Sequence, residues 1–200
     1  YVDLETGNDV TGTGSIESPF YSIQSAVNFA LEPGDFVEVA PGEHVGNIFV
    51  ENRSPDIYST GGRDVTILNG DSTGSVITFM NVDSTASLSS FTITNGSEWY
   101  NGYHIYGGGI YLSNADPLLT DLLIEDNNAN SGAGIYATYS EAVLDRSIVF
   151  NNYSGYRGGG IYTNSSSLTV HKSLVVGNVS NNSGGGIYCS GFSSPIFKNT

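Results

Sequence analysis

A five-residue motif recurs along the second half of the chain. It reads Gly-Gly-Gly-Ile-Tyr at 107–111, 158–162 and 184–188, and Gly-Ala-Gly-Ile-Tyr at 132–136. Its isoleucines, Ile110, Ile135, Ile161 and Ile187, are 25, 26 and 26 residues apart. A polar turn and a short apolar stretch ending in Asn follow the first three copies, at 123–127, 148–152 and 174–178, and 91–95 reads as an earlier version of that stretch. Each unit is therefore strand, turn, strand and polar loop, with no helical period inside it. A repeat of this size, built only of short strands, cannot bury an apolar face alone; stacking one unit on the next can.

The repeat predicts a β-solenoid, with strands of successive coils about 4.8 Å apart. Alternation places Ile110, Ile135, Ile161 and Ile187 in one interior column and turns Tyr111, Tyr136, Tyr162 and Tyr188 outward as an exposed ladder. Asn95, Asn127, Asn152 and Asn178 are expected to stack at one corner through their side-chain amides. Strand-like segments at 35–40, 56–60 and 75–80 extend the array toward the N-terminus. With Val37, Ile57 and Ile77 taken as interior markers, about seven coils are expected. Composition agrees, because Gly, Ser, Asn and Thr together supply 87 of the 200 residues, and these are weak helix formers suited to turns.

One segment breaks the pattern. In 20–31 the apolar residues fall at 20, 23, 26, 27, 30 and 31, the spacing of one helical face, with Pro19 at its start and Pro33-Gly34 at its end. A short amphipathic helix there would cover the open first coil, so 1–34 reads as an N-terminal cap and 35–200 as coils of one domain. At the other end, 195–200 corresponds to 168–173 of the preceding coil, so the last coil is incomplete. The expectation is a fragment, or a further chain or domain covering that coil, with end-to-end contact through it as one route.

Gly12-Thr13, Pro19-Phe20, Ile23-Gln24, Ala26, Pro33-Gly34-Asp35, Val37, Val39 and Pro41-Gly42 resemble the cap and first coil of the right-handed parallel β-helix superfamily, often called pectate-lyase-like. The Gly-Gly-Gly-Ile-Tyr copies, with segments such as Phe150-Asn151-Asn152, are similar to the repeats of polymorphic outer-membrane proteins and related bacterial surface proteins. The resemblance implies an all-β, right-handed parallel β-helix, secreted or on the cell surface. It leaves function open, since the superfamily holds lyases, hydrolases, esterases, adhesins and tailspikes.

The chemistry of those enzymes has few counterparts here. Six cations, Arg53, Arg63, Arg146, Arg157, Lys172 and Lys198, are available. Arg146, Lys172 and Lys198 are expected in one column beside His171, with Asp121 and Asp145 close by. No Asp-Asp pair and no Asp-bearing calcium nonapeptide occurs. No cofactor is implied. Calcium has only diffuse candidates, Asp3, Glu5, Asn8 and Asp9, and Glu125 with Asp126. The lone Cys189 excludes an internal disulfide and reads as a small buried or half-buried side chain.

The interval before Ile110 is longer than its neighbours, and the excess falls at 96–106. Here Trp99, Tyr100, Tyr103, His104 and Tyr106 are concentrated. Loops leaving equivalent positions of a solenoid share one edge, so this insertion should neighbour 127–131 and 153–157, where Tyr153, Tyr156 and Arg157 enlarge an aromatic patch. Flat rings with polar tips suit a sugar face, which makes this edge the candidate ligand site. A net charge of −14 argues against nucleic acid and anionic membrane surfaces as partners, and no apolar run suits membrane insertion. The same charge favours neutral sugars or host and cell-surface proteins. The expected function is a non-catalytic adhesin-like or glycan-binding module of a larger protein. The alternatives are a polysaccharide lyase or hydrolase with its catalytic residues elsewhere, and a structural spacer.

Overall fold

The computed structural model describes residues 1–32, 34–97 and 106–200 together with the backbone at 99–100 and 103–104. It is an all-β parallel solenoid with one short helix. Three parallel sheets run its length. The first pairs Phe36–Val39, Asp56–Ser59, Ser87–Ser89, Leu118–Thr120, Val143–Asp145, Thr169–His171 and Ile196–Lys198. The second pairs Gly42–Val45, Thr66–Asn69, Thr92–Thr94, Leu123–Glu125, Ile148–Phe150 and Leu174–Val176. The third pairs Ile48–Glu51, Ile77–Val82, Ile110–Ala115, Ile135–Thr138, Ile161–Asn164 and Ile187–Ser190. Six complete turns result, plus the strand Ile196–Lys198, against the seven coils expected from sequence.

The difference lies in the interior columns, which are not one column but several. Val37 aligns with Ile57 on the first sheet, and that column continues through Leu88 to Leu119. Ile77 belongs to the third sheet, between Ile48 and Ile110. Three sheets supply similar apolar residues at similar intervals, so equal spacing between two segments did not prove that they share a face. In the later coils the markers were right: Ile110, Ile135, Ile161 and Ile187 align in sequence, and the first three are fully buried. Each such side chain stabilises the stack by roughly 1.5–3 kcal/mol.

The glycines ahead of those isoleucines solve two backbone problems. Gly107, Gly132, Gly158 and Gly184 have φ between 62° and 68°, a left-handed turn that a β-carbon disfavours. Two residues on, a β-carbon at Gly134 would lie 2.6 Å from the Gly160 carbonyl oxygen, so consecutive coils could not approach to pairing distance.

Side-chain ladders fix the corners. Asn152 Oδ1 accepts from the Asn127 backbone N–H at 3.1 Å and from its Nδ2 at 3.0 Å. Asn152 Nδ2 donates to Ile124 O, Phe150 O and Asn178 Oδ1, each at 2.9 Å. Asn95 is not the first member of this ladder. Thr92 aligns with Leu123, so the equivalent of Asn127 is Gly96, whose N–H donates to Asn127 Oδ1 at 2.9 Å. Two serine ladders mark the other corners: Ser140, Ser166 and Ser193 accept in turn from the backbone of Ala115, Ser140 and Ser166, and Ser147 and Ser173 accept from Leu122 and Ser147.

The helix is Ile23–Phe29, shorter than the pattern from Phe20 suggested. Ser22 caps it by accepting from the Ser25 N–H, while Phe20 is extended and forms a bridge with Val2. Ile23, Ala26 and Val27 are buried in the core, but Leu31 is 66% exposed. Gln24 meets the free edge of the first coil: its Oε1 accepts from Phe49 N–H at 2.7 Å and its Nε2 donates to Phe49 O at 3.1 Å. Val2 covers the first sheet in the same way, donating to Glu38 O and accepting from Ala40 N–H.

Asn152→Ala is expected to destabilise the fold by about 2–4 kcal/mol in urea unfolding, because several buried backbone groups lose their partner together. The exposed Asn181→Ala should stay within about 0.5 kcal/mol of the parent. Equal midpoints for the two variants would show that the ladder does not hold the coils.

Candidate functional site

The sequence placed the aromatic insertion beside 127–131 and 153–157, and its last residue, Tyr106, lies there. Tyr106 bridges Ser131 in parallel, Ser131 pairs with Arg157, and Arg157 bridges Ser183. A short fourth sheet, Asn128–Ser131, Tyr153–Arg157 and Val179–Ser180, carries this edge. Trp99–Tyr100 and Tyr103–His104 pair antiparallel as a two-stranded ribbon; the orientation of Trp99, Tyr100, Tyr103 and His104 as ligand-binding side chains lies outside the described residues. Tyr106, Tyr153 and Tyr156 are exposed, at 43%, 40% and 42%.

The tyrosine ladder and the edge patch, expected as separate features, meet in one surface. Tyr111, Tyr136, Tyr162 and Tyr188 stack with centroid separations of 5.7, 4.9 and 5.3 Å. Tyr106 leans on Tyr136 at 4.8 Å. The ladder is less open than outward alternation alone suggests: Tyr136 is only 9% exposed, and Tyr111, Tyr162 and Tyr188 are half-buried. Outward rings in a parallel stack cover one another's faces, because the coil spacing is close to the ring-stacking distance. Burial first, then the neighbouring phenols, push the Tyr136 hydroxyl up to about 12. At the far end Tyr162 Oη and Ser190 Oγ are 2.9 Å apart.

Arg157 joins the two sets. Its guanidinium carbon lies 4.4 Å from the Tyr156 ring centroid and 4.8 Å from that of Tyr188. Contacts of this kind orient the cation and hold it against an apolar surface. Among the described residues no carboxylate forms an ion pair with it.

The basic column is arranged differently from expectation. Arg146 and Lys172 do share a corner, both left-handed with φ of 47°, but Lys198 aligns with His171 and Asp145. Charge alone extends the column to Lys198, whereas strand register puts Asn199 at that corner. His171 Nδ1 lies 2.7 Å from Asp145 Oδ1, Arg146 pairs with Asp145 and donates to Thr120 Oγ1, and Arg63 faces Asp121 at 3.5 Å. Carboxylates thus answer much of the charge on this face.

Of the diffuse calcium candidates, Asp3 Oδ1 accepts from the Glu5 and Thr6 N–H groups, and hydrogen bonding from Thr6 holds its carboxyl below the usual range. Asn8 Oδ1 caps Val10 and Thr11, and Asp9 Oδ1 accepts from Tyr21 and Ser22. Burial, with Asp126 adding, raises the Glu125 carboxyl. No group of three or more His, Cys, Asp or Glu side chains among the described residues is arranged to hold a metal ion. Cys189 is exposed, contrary to the buried expectation. It occupies the position of the fully buried Thr163 one coil earlier, in the last strand of the third sheet.

Sequence reasoning missed another exposed ladder, in which Asn81 donates to Asn52 and Asn114 to Asn81 at 3.1 and 3.0 Å. It lines an open polar groove of about 570 Å³ with Arg53, Asp83 and Asp116. Unequal intervals between these asparagines, 29 and 33 residues, hid the column.

Residues 172–190 match the Chlamydia polymorphic membrane protein (Chlamydia_PMP) repeat. That segment contains Asn178 and the last Gly-Gly-Gly-Ile-Tyr copy. No curated protein matches the chain. A solved structure, Escherichia coli YbhC, superposes with a TM-score of 0.53 at 13% identity, covering 99% of this chain and 67% of that one. At that identity the likeness concerns the fold alone. Together with the internal repeats, these findings make the chain a β-helix repeat protein similar to the Chlamydia repeat.

The stacked ladder has a measurable titration. An unfolded tyrosine ionises near about 10, whereas Tyr136 in the fold does so at about 12. Its contribution to stability is therefore complete below about pH 10 and is lost as pH rises from there through about 12. Tyr58 is raised as well, by burial and then by Glu38, so phenolate absorbance should show a late-titrating component that shrinks by one tyrosine in Tyr136→Phe; an unchanged profile in that variant would sink the assignment.

Proposed function

We propose that the chain is a surface-associated, adhesin-like β-helix module without catalysis, which binds glycan through the aromatic edge. The match of residues 172–190 to a repeat of membrane proteins supports the surface location. For binding, the supporting observation is the continuity of Tyr106, Tyr156 and Arg157 with the tyrosine ladder. A solenoid suits the role because its coils are held by ladders and an interior column, which leaves the outer edge free to vary in the rings it carries. Exposed tyrosines offer apolar contact to a sugar face and hydroxyls to its rim.

Binding to an immobilised glycan panel should fall about tenfold or more, equivalent to at least about 1.4 kcal/mol, in Tyr153→Ala and Tyr156→Ala, with circular dichroism unchanged. Trp99→Ala tests the sequence-derived member of the patch in the same assay. Absence of binding to any glycan would remove the glycan reading.

A further inference from the structure

Of the six Lys and Arg residues, most are occupied or freely solvated. Arg53 donates to the carbonyl oxygens of Val27 and Glu51, Arg63 faces Asp121, and Arg146 pairs with Asp145. Lys172 and Lys198 are exposed on a different face. Arg157 is unlike all of these. It is half-buried, its guanidinium is held against the rings of Tyr156 and Tyr188 at 4.4 and 4.8 Å, and its Nε is buried without an acceptor. No described residue accepts from its terminal nitrogens.

A guanidinium fixed on aromatic rings, with its in-plane donors unspent, has lost its freedom before a ligand arrives, and its planar fork matches a carboxylate with two parallel hydrogen bonds. We infer that the ligand of this edge is a carboxylate-bearing sugar, and that Arg157 binds its carboxylate while the neighbouring tyrosines contact the ring. The inference rests on the glycan reading above and narrows it. Arg157 is the single Lys or Arg among the described residues of the site, which matches a single negative charge. The exposed rings of Tyr106, Tyr153 and Tyr156 favour a sugar over an acidic peptide, which offers no comparable flat apolar face. The net charge of −14 pointed to neutral ligands, but at physiological salt distant charges are screened beyond about 8 Å. The local group then decides.

The test uses the whole chain and a panel of matched glycans: neutral, uronate-containing, sialylated, sulfated, and the methyl esters of the carboxylated members. Carboxylated glycans should bind roughly 10- to 100-fold more tightly than their methyl esters, the effect of losing a charge-assisted pair. Arg157→Gln should erase that preference while leaving weak binding to neutral glycans, and Arg157→Lys should restore only part of it. The ester comparison requires no mutation, so misfolding of a variant cannot mask the result. Equal affinity for acid and ester, a preference for sulfated glycans, or equal binding of glutamate-rich peptides overturns the carboxylate inference. Neutral glycan binding that survives alongside such a result leaves the glycan reading standing, whereas no glycan binding at all overturns both.

Discussion

Backbone hydrogen bonds along three parallel sheets would by themselves allow one coil to slide against the next, since parallel strands of similar apolar residues pair in more than one register. The corner side chains remove that freedom. At each of three corners a side-chain oxygen of one coil accepts a backbone N–H of the coil before it: Asn152 from Asn127, Ser147 from Leu122, Ser166 from Ser140. Corners are where the chain leaves one sheet and has not joined the next, so their N–H groups would otherwise be buried unpaired. Satisfying them with a residue of the next coil ties burial to register. A slip of one residue would break these bonds and also turn the interior column toward solvent.

With register fixed from inside, the outer surface is free to vary, and it does so coil by coil. The position of Tyr111 is Thr78 in the preceding coil and Phe49 in the one before it. Only the later coils carry tyrosine there, and only in them does the short fourth sheet widen the cross-section beside the ladder. The aromatic edge therefore belongs to one part of the solenoid. Its rings reinforce one another: Tyr136 lies between Tyr111 and Tyr162, and Tyr106 closes over it. A surface made this way is stiff, which lowers the ordering cost of recognition.

Fold class was legible in the sequence because the Gly-Gly-Gly-Ile-Tyr copies carry three physical requirements in five residues: a left-handed turn, a close backbone approach and an inward apolar side chain. Where those copies ceased, legibility declined. Asn95 was aligned by its identity, although Thr92 pairs with Leu123 and puts Gly96 at the ladder position. Ile77 was aligned by spacing, and Lys198 by charge, where strand pairing decides otherwise. Serine ladders went unnoticed because serine is common throughout the chain, so its recurrence at 140, 166 and 193 carried little contrast. Cys189 shows a different limit. Its inward position was predictable, but burial depends on what lies over the coil as well as on the coil itself.

The candidate site shows the same division between local pattern and assembled environment. Sequence could bring Tyr153, Tyr156 and Arg157 to one edge, since solenoid topology alone requires it. It could not show that Arg157 reaches across to Tyr188, in the following coil, as well as to its neighbour Tyr156, because that contact depends on side-chain direction after register is set. The consequence is electrostatic. A chain with 20 acidic and 6 basic residues looks hostile to anions when its charges are summed. Yet summed charge governs long-range approach, while affinity at contact depends on the few groups whose donors are desolvated and unpaired. Arg146 and Arg63 have carboxylate neighbours and Arg157 has rings. The ring-held cation, whose donors meet no acceptor among the described residues, is where this acidic surface can accept a negative group.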